Sequence, residues 1–172
     1  MSPALCKFVL GNFALYLLVF GFICSLVSLG RKLKPVRRVA YVETLFSFFL
    51  LFSIGVSSIY DFLGPVFFSQ YASAFIGSAY IPYQREAGFA VLGLGIAGMI
   101  SLRTGLGFRA ATINISAFAL WGSAGKHLYR TITADGYSLD STGTAFWMHI
   151  FVPLIGFIFL YYQHRSASTW FK

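Results

Sequence analysis

The sequence predicts an all-α integral membrane bundle of four to five transmembrane helices plus a short interfacial helix. Three observations carry that prediction. Of 172 residues, 58% are hydrophobic and 10% charged, and the mean hydropathy is +0.74. Soluble domains carry roughly 25% charged residues, so this chain has too few charges to cover a water-facing surface. Apolar runs recur at the roughly twenty-residue length that a bilayer core demands. The basic residues gather in short segments between those runs, the pattern that orients helices in a membrane. The length suits a single domain, 1–172, with no separate soluble domain.

The first span covers about 8–29. Lys7 precedes it, and Arg31, Lys32, Lys34, Arg37 and Arg38 follow it. Positive charge after the run, with no small-residue cleavage site, predicts a retained helix with its N-terminus outside. The second span covers about 40–62, opened by Glu43 and closed by Asp61. Residues 64–79 lack charge but hold Ser69, Gln70, Ser73 and Ser78, while Phe67, Tyr71 and Phe75 recur every four residues. One apolar face on a short polar segment predicts an interfacial helix at about 66–78. The third span, about 83–102, follows Pro82, a residue suited to a first helical turn. The fourth covers about 108–129 and the fifth about 143–162. Between them "TITADGYSLDSTG" is plainly polar, with a turn at Asp135-Gly136.

With five spans the inner side holds the 31–38 cluster, Arg103, Arg109, Arg165 and Lys172. The outer side holds Lys7, Arg85, Lys126 and Arg130, so the excess lies inside. Tyr60, Tyr80, Tyr83 and Tyr129 fall at the outer boundary and Tyr41, Tyr161, Tyr162 and Trp170 at the inner one, as amphipathic rings prefer. The net charge of +8 therefore reports orientation, and nucleic acid is not expected as a partner. Cys6 and Cys24 on one helix are about 27 Å apart, beyond disulfide reach, and serve as small apolar fillers.

Polar side chains in a membrane are costly and mark candidate sites. Alternating helix directions bring Asp61, Gln84, Glu86, His127 and His149 to a similar outer depth. Three readings of this cluster stay open. A divalent metal would take its imidazole and carboxylate ligands from separate helices, since no H-x-x-H or H-x-x-E spacing is present. A quinone, lipid or other small apolar molecule would use a greasy pocket with a few orienting polar groups. Structural hydrogen bonds would tie the helix ends together, with Arg85, Lys126 or Arg130 neutralising the acids. Glu86 shares a helical face with Phe89, Ala90 and Gly93, and Gly93 pairs with Ala97 as small-x-x-x-small. That predicts Glu86 facing a neighbouring helix and Arg85 reaching the headgroups. Gly88, Gly95 and Gly98 form a second smooth face. Glu43 is expected to pair with Arg37 or Arg38, Asn114 to bond across helices, Trp121 to supply bulk, and Pro153 to kink the last helix just past His149. No G-x-S-x-G nucleophile or phosphate loop is present; "GLGIAG" has neither the strand nor the Lys-Ser/Thr.

With "IPYQREAGFAVLGLGIAG" and "GSAGKHLYR" in view, the chain resembles an uncharacterised bacterial family of small integral membrane proteins with a Pro-Phe/Tyr-Gln-x-Glu-x-Gly signature. Pro82, Tyr83, Gln84, Glu86 and Gly88 carry that element, Gly122 and His127 a second, and His149 with Pro153 a third. His149 stands where the family more often has Asp, and "YDFLGP" lacks a Gly-His. The layout is more distantly similar to DoxX-like four-helix membrane proteins, some of which are subunits of quinone-linked oxidoreductases. The resemblance implies a bacterial inner-membrane helical bundle and a site location, without a reaction or a cofactor. The resulting expectation is a non-catalytic accessory or structural subunit of a membrane complex. Its partners would be the bilayer and other subunits or further copies of itself. The alternative is a binder of a quinone, lipid or similar ligand at the outer cluster.

Overall fold

A computed structural model describes residues 8–31, 38–68, 83–133 and 143–168. Helix α1 covers Phe13–Gly30. The central helix begins as α2, Arg38–Phe49, loosens into a π-helical segment, Leu50–Val56, and continues as α3, Ser57–Phe67. Helix α4, Tyr83–Ile100, tightens into a 3₁₀ turn at Ser101–Arg103. Helices α5, Leu106–Thr133, and α6, Thr144–Ser168, complete the fold, and no strand occurs among the described residues. Phe13–Gly30, Val39–Gly64, Glu86–Arg103 and Thr144–Ser166 are long and apolar enough to cross a membrane. They correspond to the first, second, third and fifth expected spans. The fourth lies within α5, which has the length, at 28 residues, but is not one of these four apolar helices. Its polar Arg109, Thr112 and Ser116 all lie buried against the bundle. The expected interfacial helix falls outside the described residues, except for 66–68 where α3 ends.

The central helix is the hub. Against it pack α1 (Phe20 edge-on to Phe52, rings 5.1 Å apart) and α6 (Phe159 stacked on Phe46 at 5.6 Å). Phe46, Phe49, Leu50, Ile54, Ile113 and Val152 close the core. Outward, large apolar side chains such as Phe118, 78% exposed, cover the surface, as a bilayer solvent requires.

One contact fixes how α4 lies on the hub. A Cβ at Gly98 would stand 2.6 Å from the Gly55 nitrogen and 3.1 Å from the Leu50 carbonyl oxygen. At Gly95 it would stand 3.0 Å from the Gly55 oxygen. Backbone therefore meets backbone beside the π-helical segment, a closeness that only glycine permits. Farther along, Gly88 abuts Val66, so α3 and α4 run antiparallel. The second smooth face, Gly88–Gly95–Gly98, is thus the packing face. This corrects the expectation for Glu86: Gly93 has nothing within 4 Å, and Glu86 is exposed. Small residues line both faces of α4, and the Gly95–Gly98 face is the one in backbone contact with the π-helical segment. Pro153 lies buried within α6, which continues through it to Ser168.

Candidate functional site

The polar residues gather at two ends of the bundle. At one end α4 stops in its 3₁₀ turn, and helix ends leave carbonyl groups without partners. Arg109, in the first turn of α5, meets this need. Its Nε donates to the Ser101 carbonyl at 2.9 Å, and its Nη2 to the Leu102 carbonyl at 3.2 Å and to Ser47 Oγ at 3.0 Å. Nη2 also lies 2.8 Å from Glu43 Oε1, and the guanidinium stands 5.5 Å from the Phe46 ring. Gln163 of α6 donates to the other Glu43 oxygen. Ser101 and Thr112 share a hydrogen bond at 3.1 Å. Helix α2 and the end of α4 thus converge on one α5 guanidinium that is 1% exposed, and α6 joins through Glu43, whose side chain is 45% exposed. Arg109 Nη1 and Gln163 Oε1 are buried without a hydrogen-bond partner.

Sequence reasoning missed this centre. It paired Glu43 with Arg37 or Arg38 and counted Arg109 as a loop charge. Glu43 pairs with Arg109, which the short α4–α5 connection sets in the first turn of α5, while Arg37 and the Arg38 side chain lie outside the described residues. The available signal was the 109–112–116 spacing, a polar stripe on one face of a membrane-length helix.

At the other end, His127 on α5 and His149 on α6 meet with ring centroids 6.1 Å apart. His149 Nδ1 is buried without a hydrogen-bond partner. Trp147 stacks on Phe151 one helical turn away, at 5.9 Å. Two imidazoles in contact have the chemistry to donate to or accept from the polar head of an apolar molecule. The remaining members of the expected outer cluster lie on the other helix pair. Asp61 is exposed on α3, Glu86 is exposed on α4, and Gln84 belongs to the first turn of α4. Among the described residues, no three His, Cys, Asp or Glu side chains assemble into a group able to hold a metal ion. Cys24 is a free thiol on α1. Asn114 is exposed and bonds its own helix, Nδ2 to the Ala110 carbonyl at 2.8 Å, with no bond to another helix among the described residues. Trp121 packs beside Phe157, rings 6.0 Å apart, as expected of bulk.

A family of unknown function, DUF6790, matches residues 11–169. The chain belongs to that family. No curated protein and no solved structure matches the chain. The distant likeness to DoxX-like proteins has no counterpart among these matches. The matched region takes in every helix from Phe13 to Ser168, so both polar ends lie within it.

Proposed function

We propose that this DUF6790 protein is a non-catalytic subunit of a membrane assembly. In this reading it is inserted in a bacterial inner membrane with five crossings, its N-terminus outside and its C-terminus inside. Asn114 carries the reading. It sits about 12 Å along α5, within reach of the interior of a hydrocarbon core about 30 Å thick. It is exposed, and among the described residues its side-chain hydrogen bond goes to its own helix. An amide facing lipid is costly and normally bonds a neighbouring helix. The buried Arg109, by contrast, serves the architecture: it binds Glu43 and the carbonyls that end α4. A photo-reactive amino acid at position 114, activated in intact membranes, tests this. A discrete protein adduct is expected, and adducts to lipid alone would overturn the reading.

A second reading is favoured by the His127–His149 contact and the buried, partnerless His149 Nδ1. These groups would orient a quinone, lipid or other apolar molecule with a polar head, ahead of a metal ion. Lipid and quinone mass spectrometry with metal analysis of gently purified protein should then find a stoichiometric ligand that His149→Ala loses. Bare protein would count against it.

A further inference from the structure

We propose that α5 is a self-association seam and that the occupant of its outward face is a second copy of this chain. The inference rests on the accessory-subunit reading and names its partner. From Gly107 onward, exposed residues recur at alternating spacings of four and three: Gly107, Ala111, Asn114, Phe118, Trp121 and Gly125. Ile132, 74% exposed, continues the line near the end of the helix. That alternation is the period of a seam between two helices wound in a left-handed supercoil. A Cβ at Gly107 or Gly125 would meet nothing within 4 Å, so a neighbouring helix can approach closely at both points. Phe118 stands 78% exposed between them, a knob without a hole in the single chain.

Asn114 identifies the partner. A lone Asn on an otherwise apolar seam sets register and oligomeric state. Its amide is both donor and acceptor, so an identical amide across a twofold axis satisfies it reciprocally. Two copies of one chain share a membrane orientation, so the paired α5 helices run parallel and the axis lies along the membrane normal. That geometry brings Asn114 opposite the other copy's Asn114. Lys126 flanks the seam toward the far end of α5, where its long side chain can reach the headgroups.

The test uses the full chain in liposomes, with association followed by single-molecule photobleaching over a series of lipid dilutions. Dimers are expected. Asn114→Leu, at an exposed position, should weaken them about fivefold to thirtyfold, the worth of one interhelical amide contact in a bilayer. Gly107→Ile should abolish them. In a Cys6→Ser/Cys24→Ser background, Phe118→Cys should form a disulfide dimer on oxidation, while Val19→Cys, exposed on α1, should not. A wild-type monomer at every dilution overturns the inference. So does a dimer indifferent to both seam substitutions, or equal cross-linking at position 19. A monomer whose position 114 cross-links to a different polypeptide overturns the second-copy inference and leaves the accessory reading standing.

Discussion

Gly98→Ala and Gly93→Ala are the same chemical change five residues apart on α4, and they should act with opposite sign. At Gly98 the added carbon would stand 2.6 Å from the Gly55 nitrogen, 2.8 Å from its Cα and 3.1 Å from the Leu50 oxygen. All three obstacles are backbone atoms, so no side-chain rotation relieves them. Ordinary contact lies near 3.5–4.0 Å, so α4 must retreat about 1 Å from the π-helical segment. The retreat also loosens the Gly95–Gly55 and Gly55–Met99 contacts on either side. Overpacking of this kind costs about 1–3 kcal/mol, and a rigid backbone obstacle puts Gly98→Ala at the upper end. At Gly93 nothing lies within 4 Å. There Ala gains helix propensity over Gly, up to about 1 kcal/mol, so stability should hold or rise. Thermal unfolding in one mild detergent, or denaturant titration in mixed micelles, compares the two variants directly. Equal stability of Gly98→Ala and wild type would refute the packing argument, as would equal losses at both positions.

Other substitutions probe the remaining contacts. Arg109→Met keeps the volume but strips the Ser101, Leu102 and Ser47 groups of their donor, and should cost about 2–4 kcal/mol. The half-exposed Glu43 keeps the loss below that of a fully enclosed pair. Adding Glu43→Gln should cost about 1 kcal/mol less than the sum of the two single changes; strict additivity in the same unfolding assay would mean the two side chains do not interact. Gly156→Ala sets a Cβ 2.6 Å from Ile113 Cδ1, a flexible tip. Its loss of about 1–2 kcal/mol should be partly recovered by Ile113→Val, and a pair worse than Gly156→Ala alone would show that the clash lies elsewhere.

Composition and run length made the all-α membrane class legible, because a bilayer imposes both over whole segments. Which face of α4 packs was not legible. Gly93–Ala97 and Gly88–Gly95–Gly98 satisfy the same small-residue rule, and only the second face meets the π-helical segment at Leu50–Val56 and α3 beyond it. That distortion leaves no mark in hydropathy. The His127–His149 contact followed from helix alternation plus similar depth, and both residues lie on sequential, directly connected helices. The same reasoning drew Asp61 and Glu86 toward the histidines, because depth along the normal says nothing about position around the bundle. Arg109 was hidden for a related reason: a count of loop charges treats every Arg near a span boundary as solvated. Its 1% exposure shows a side chain turned inward to carbonyls and a carboxylate.

The same inward turn bears on how many times the chain crosses. Hydropathy averages around a helix, so α5, with Arg109, Thr112 and Ser116 facing the bundle, scores below what its lipid-facing surface merits. Two contacts measure its course independently of hydropathy. Arg109 and Gln163 both reach Glu43, tying the start of α5 to the end of α6. His127 meets His149, tying the far part of α5 to the beginning of α6. The helix rise between Arg109 and His127 is about 27 Å, close to a hydrocarbon core. If α6 crosses, α5 must cross beside it in the opposite sense. In a Cys6→Ser/Cys24→Ser background, Gly143→Cys should react with a membrane-impermeant thiol reagent on intact cells. Gly105→Cys should react only after permeabilisation. Both positions are exposed and both precede a helix, so reagent access differs only by the side of the membrane. Labelling of the two from the same side would mean that α5 does not cross, and would remove the depth argument that sets Asn114 against lipid.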